Sequence, residues 1–341
     1  MNKKIKLALI VDVENWAYAN IAKNFKKQLE NNFEISIIPM SKINENSATM
    51  WLILKDYEVV HFFCRGLSIS YEEEYFKNQL LELGGDLNSF TKEYIKGKVI
   101  TTCVYDHLFL EKDIEFTKKL FSKVKNYYVS SNILKKIYDN LEIKYKPQTV
   151  ITDGVNLEQF YPINIDRFNN LKDRTIKIGW VGNSKWVDNT DDYKGVHTIL
   201  KPAIEQLRQE NYNVELYTSD KTEKHIPLEQ MVNYYSNIDI YACLSKAEGT
   251  PNPVLESMAC GIPVISTDVG IVRDALGKKQ SEMILEQRSI ECLKNKIKFL
   301  INNPKKFKEY SQENLENIKE WTWENKSKEF EKFILRAYYE K

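Results

Sequence analysis

Short apolar, β-branched runs alternate with stretches of helical period from one end of the chain to the other. That alternation is the pattern of parallel sheets with helical crossovers. In the first half it predicts strands at residues 7–13, 35–40, 59–64, 99–105, 127–130 and 149–152. Helices fill the gaps: 18–30 puts Ile21, Ala22, Phe25 and Leu29 on one face, and 114–124 does the same with Phe116, Leu120 and Val124. The stretch 162–174, with Asn164, Asp166, Arg167, Asn169, Asn170 and Asp173, keeps no period and reads as an interdomain linker. A second series follows, with strands at 176–181, 214–218, 238–244, 264–267 and 283–285 and helices at 196–208, 228–235, 254–260, 272–276 and 290–302. The fold class expected is therefore α/β, two doubly wound parallel-sheet domains. Ligands in such sheets bind outside the C-terminal ends of the strands.

Length agrees, since 341 residues leave room for two domains of about 150 each. Charge narrows the partners: 49 Lys and Arg against 48 Asp and Glu give a net +1, which excludes a broad nucleic-acid-binding field. Any anion must be met by local geometry. The five cysteines, Cys64, Cys103, Cys243, Cys260 and Cys292, are scattered and contain no Cys-x-x-Cys pair, as suits a reducing compartment without structural zinc. Asp12 and Glu14 interrupt the basic-then-apolar start that would otherwise resemble a signal peptide, and no apolar run approaches the ~20 residues of a bilayer span. A cytoplasmic protein is expected.

The densest chemical signal is the block Glu248-Gly-Thr250-Pro251-Asn252-Pro253-Val254-Leu-Glu256-Ser-Met-Ala-Cys-Gly-Ile-Pro-Val-Ile. It follows a predicted strand and enters an apolar helix. Pro253 suits a first helical turn because its missing N–H needs no partner there. The N–H groups after it, with the positive end of the helix dipole, would face a phosphate. Glu248 and Glu256 flank the turn and would repel that phosphate unless turned towards hydroxyls. A ligand with both diphosphate and sugar, a nucleotide sugar, satisfies both demands.

Glu, seven residues, Glu, and the Ser-Met-Ala-Cys-Gly-Ile-Pro-Val-Ile run resemble the donor motif of retaining GT-B glycosyltransferases. This is the class containing mannosyl-, glucosyl- and N-acetylglucosaminyltransferases of bacterial surface polysaccharides. Gly179-Trp-Val-Gly182-Asn183-Ser-Lys185-Trp, followed by Asp192-Tyr-Lys194-Gly195, is similar to the family's first donor-domain strand and phosphate loop. Members usually carry an Arg where Asn183 stands, and Lys185 is the nearest cation that could replace it, as a point charge in place of a planar fork. Residues 150–162, with Gly154-Val155-Asn156, are similar to the end of the family's N-terminal domain, and 320–334 to its final helix. The resemblance thus implies a GT-B fold. An acceptor domain would span 1–165, a donor domain 166–320, and a helix at 321–341 would cross back to the first domain.

The first domain departs from the family pattern. Val13-Glu14-Asn15-Trp16 replaces the usual Gly-Gly pair after the first strand, and Tyr105-Asp106-His107 stands where members tend to have His-Asp. His107 is the acceptor-side candidate, with His61 and Arg65 placed after it. Residues 118–146 hold eight lysines against two acids, Asp139 and Glu142. Such a patch could contact anionic lipid headgroups at the inner membrane face, or equally be a solvated helix face.

The reaction implied by the resemblance is transfer of a sugar from a nucleoside diphosphate sugar to a glycan, lipid-linked or protein hydroxyl, with retention. In it Lys194, Lys185 and the helix start near Val254 would stabilise the leaving diphosphate, beside Gly182 and Asn183. Glu256 would bind ribose, and Glu248 the donor sugar. No cofactor or metal is expected, since the cations can take a metal's part and no Asp-x-Asp occurs. Two alternatives share the fold: an epimerase or phosphorylase, or a non-catalytic sugar-nucleotide-binding subunit. A nicotinamide oxidoreductase is disfavoured because no Gly-x-Gly-x-x-Gly follows the first strand.

Overall fold

The computed structural model describes residues 3–82, 84–171, 174–186 and 191–340. Asp173 of the expected linker and the terminal Lys341 lie outside the described residues. The chain divides into two compact units, one made of residues 1–152 with 323–341, the other of 153–322. Each is a Rossmann-like parallel sheet with helices on its faces.

In the first unit β1 (Ile5–Val11), β2 (Phe33–Pro39), β3 (Val59–Phe62), β4 (Val99–Val104), β5 (Asn126–Val129) and β6 (Thr149–Val150) pair in the order β2-β1-β3-β4-β5-β6, all parallel. The sheet is covered on both sides, which is why β1, β3 and β4 are nearly continuous apolar runs. One face packs Phe25 of the helix Ala17–Leu29 against Phe330 of the helix Trp323–Tyr339, with the rings stacked at 4.2 Å. The other face holds Trp51, Phe62, Phe76 and Tyr138.

In the second unit β7 (Ile176–Gly182), β8 (Val214–Asp220), β9 (Ile240–Cys243) and β10 (Val264–Ser266) pair in the order β10-β9-β7-β8. The chain starts in the middle at β7, adds β8 on one side and then crosses to β9 on the other. The switch point lies at β7, and the C-terminal ends of β7, β8 and β9 open a crevice there.

Four sequence expectations need correction. The division falls at Thr152–Asp153 instead of 165, because Val155, Phe160 and Phe168 enter the core of the second unit. Within the expected linker, Ile165–Asn169 forms a 3-10 turn, and Arg167 pairs at 3.1 Å with Asp239, a buried carboxylate that also receives the Lys177 N–H. Residues 283–285 make a single bridge, Ser266 to Ile284, where a strand was expected. The helix expected from 254 begins at Asn252. The helix Lys305–Asn317 has no counterpart in the sequence reading.

Candidate functional site

β9 ends at Cys243, and the chain turns through Ser245, Glu248 and Pro251 into the helix Asn252–Ala259. Ser245 Oγ donates to Glu248 Oε1 at 2.6 Å, and Thr267 Oγ1 holds the Ser245 carbonyl at 2.8 Å. The turn is braced from behind by Gly270. Its φ is +53°, and a Cβ there would lie 2.1 Å from the Gly249 carbonyl oxygen, so only glycine permits this approach. Asp153 N–H donates to Thr250 Oγ1 at 3.2 Å.

Across the crevice, Lys194 sits on the loop before one turn of π-helix, Val196–Leu200. Asp192 caps that turn, its carboxylate accepting from the N–H groups of Val196, His197 and Thr198 at 3.1, 2.7 and 2.6 Å. These bonds hold its carboxyl below the usual range against the opposing effect of burial. Gly195, at φ +72°, gives the loop its bend, and a Cβ there would meet the Leu244 carbonyl at 2.7 Å. Arg288 ties the two sides: Nε donates to Leu244 O at 2.7 Å and an Nη to Asp192 O at 2.6 Å. The outcome is an ion pair between Lys194 and Glu248, with side chains only 17% and 18% exposed, and the Lys194 ammonium lies 4.9 Å from the centre of the Trp186 ring.

This pair lines a cavity of about 230 Å³. Gly182 and Asn183 from the end of β7, Lys221 from the end of β8, Tyr241 and Cys243 from β9, and Thr250, Pro251, Asn252 and Pro253 from the turn complete it, with Trp186 at its edge. Larger hollows, such as one of about 590 Å³ beside Phe160 and Leu315, lie away from these strand ends.

Most of the donor-side residues picked from sequence therefore gather in one place, and three behave differently. Lys185 is exposed and does not line the cavity, and its N–H donates to Asn183 Oδ1. The cation that joins Lys194 there is Lys221, which the sequence reading missed because nothing in Ser219-Asp220-Lys221 matches a phosphate-loop pattern. The Val254 N–H is not open to a phosphate, since it donates to Pro251 O at 2.8 Å and Pro251 and Pro253 have no N–H at all. Glu256 is half-buried behind the helix start, accepting from Tyr235 Oη at 2.7 Å, and burial pushes its carboxyl up to about 7.

On the first unit, His107 Nε2 stands 2.9 Å from Glu111 Oε1 within one helical turn. Arg65, 7% exposed, donates to Asp106 Oδ1 at 2.9 Å, and Tyr138 Oη donates to the Asp106 carbonyl at 3.1 Å. His61 is fully buried, Nδ1 against Thr101 Oγ1 at 2.9 Å, with its ring stacked on Tyr128. Desolvation lowers its pKa to about 3, so it remains a neutral core residue. In the lysine-rich segment, Lys119 and Lys123 pair with Glu72, Lys118 and Lys144 with Glu142, and Lys135 with Asp139, so much of its charge is locally balanced. Among the described residues no helix is long and apolar enough to cross a membrane, and no three His, Cys, Asp or Glu side chains gather in a metal-holding group.

Protein CapJ of Staphylococcus aureus is 27% identical over 253 residues, 66% of this chain and 59% of CapJ. The capsular polysaccharide biosynthesis glycosyltransferase CapM of the same organism is 22% identical over 202 residues, 51% of each chain. This chain thus spans little more than half the length of these curated relatives. Among solved structures, sucrose-phosphate synthase from Thermosynechococcus elongatus superposes with a TM-score of 0.72 at 16% identity, covering 99% of this chain and 100% of that one. The fold is accordingly that of the GT-B glycosyltransferases, two Rossmann-like domains, and residues 205–317, which carry Lys221, Glu248 and Glu256, match the family model Glycosyl transferases group 1.

Proposed function

We propose that the chain transfers a sugar from a nucleoside diphosphate sugar to a hydroxyl acceptor, with retention of anomeric configuration and without a metal ion, in the making of a bacterial surface glycan. The observation that carries this reading is the Lys194–Glu248 pair inside the crevice at β7. A cation and a carboxylate held side by side offer one group for a phosphate and one for sugar hydroxyls. The cavity, about 230 Å³, falls below the ~300 Å³ at which pockets for whole ligands begin, so it suits the diphosphate–sugar part of a donor.

In the reaction the bond from the anomeric carbon to the phosphate oxygen breaks with its electron pair on the diphosphate. The acceptor oxygen then bonds that carbon on the face the diphosphate leaves and gives up its proton to the departing diphosphate oxygen. Negative charge grows on the leaving group, and Lys194 is placed to meet it. Glu248, held by Ser245, orients the sugar, and Glu256, behind the helix start, is the proposed ribose ligand. The similarity to CapM, named for capsular polysaccharide biosynthesis, supports a place in glycan assembly, and the acceptor proposed is a glycan, lipid-linked or protein hydroxyl.

The test is NMR of products formed from UDP-, GDP- and CDP-sugars with alkyl glycosides, in the presence of a chelator. A new glycosidic bond with the donor's anomeric configuration is expected. Inversion, a chelator-abolished reaction, or conversion of the donor to another sugar nucleotide without acceptor contradicts the reading.

A further inference from the structure

We propose that Lys221 supplies the net positive charge that draws the donor's diphosphate into this cavity and then binds it, a role that rests on the function proposed above. Lys194 brings no net charge to the crevice, because its ammonium is already paired with Glu248. Asn183 is neutral, and Lys185 is exposed and does not line the cavity. Lys221 lines the cavity from the end of β8, its side chain is exposed, and no carboxylate pairs with it among the described residues.

Its position is fixed from two sides. The Lys221 N–H donates to the Gly182 carbonyl at 2.9 Å, which joins the loops after β7 and β8. Beneath them Asp220, 1% exposed, accepts from the N–H groups of Ser184 and Thr222 at 3.2 and 3.0 Å and from Thr222 Oγ1 at 3.0 Å. That carboxylate is engaged with N–H and O–H donors, leaving the ammonium to the crevice. Lys221 therefore acts on an incoming dianion at full charge, whereas Lys194 must first exchange Glu248 for phosphate.

Calorimetric titration of the whole chain with UDP, GDP and CDP at low and high salt tests this, comparing the native protein with Lys221→Ala, Lys221→Arg and Lys185→Ala. Lys221→Ala is expected to weaken the bound diphosphate about tenfold, as for loss of one charge-assisted contact, and to flatten the salt dependence. Lys221→Arg restores most of the affinity by restoring the charge. Native-like affinity in Lys221→Ala, failure of Lys221→Arg to recover it, or a loss carried instead by Lys185→Ala overturns the proposal. If the native protein binds none of UDP, GDP and CDP, the donor-site reading itself fails and the role of Lys221 with it.

Discussion

Glu248 and Glu256 belong to the same turn and helix, yet their surroundings set them to different tasks. Glu248 is charge-paired with Lys194 and bonded by Ser245. Glu256 accepts from Tyr235 Oη, and burial moves its carboxyl from 4.5 up to about 7. A raised carboxyl pKa means that the folded protein holds this proton more tightly than the unfolded chain does. The stabilising contribution is complete below about 4.5 and is lost as the pH rises through about 7. Glu256→Gln removes that dependence, so its melting temperature is expected to rise relative to the native protein between pH 5 and pH 8. A thermal unfolding series over that range checks it, and parallel curves for the two proteins would speak against it. The two carboxylates were legible in the sequence as a spaced pair. Their different partners were not, because Lys194 and Tyr235, 54 and 21 residues away in sequence, reach them only through tertiary packing.

At the scale of elements, the apolar strands were the most readable features, since a parallel strand covered on both faces is a continuous apolar run. β1, β4 and β9 lie within a few residues of their expected positions. Helices with mixed faces escaped: Lys305–Asn317 buries only Phe307, Tyr310, Ser311 and Asn314, a core stripe in which two members are polar. Gly195 stood out in the sequence beside Lys194, whereas Gly270 and Arg288, which also position the site, were hidden because each acts on backbone far away in sequence. The final helix is an exception, with its aromatic residues marking it in the sequence as a packing element. Phe330 is 0% exposed, stacked on Phe25 at 4.2 Å and near the His61 ring at 5.1 Å. Phe330→Ala is expected to destabilise the protein by about 3–5 kcal/mol, the usual loss for emptying a buried aromatic site. Urea unfolding measures this, and a change below about 1 kcal/mol would show that the helix contributes little to that core.

For the molecule as a whole, the chain's near-zero net charge concealed a local arrangement. In the lysine-rich segment of the first unit five lysines share three carboxylates, Glu72, Asp139 and Glu142, while in the crevice of the second unit Lys194 is ion-paired and Lys221 has no carboxylate partner among the described residues. The two-series pattern disclosed two parallel-sheet units, but the dividing line moved to Thr152–Asp153 because hydrophobic residues in an aperiodic stretch, Val155, Phe160 and Phe168, complete the second core. The central claim is that the crevice around Lys194 and Glu248 receives a nucleoside diphosphate sugar. It is tested most directly by thermal unfolding with UDP-, GDP- and CDP-sugars, run in parallel on the native protein and on Lys194→Ala. A ligand bound only by the folded state at a hundred times its Kd adds about 2.7 kcal/mol. The account predicts that at least one donor raises the native melting temperature by several degrees and that Lys194→Ala loses most of the rise; equal stabilisation of both proteins, or of neither, would contradict it.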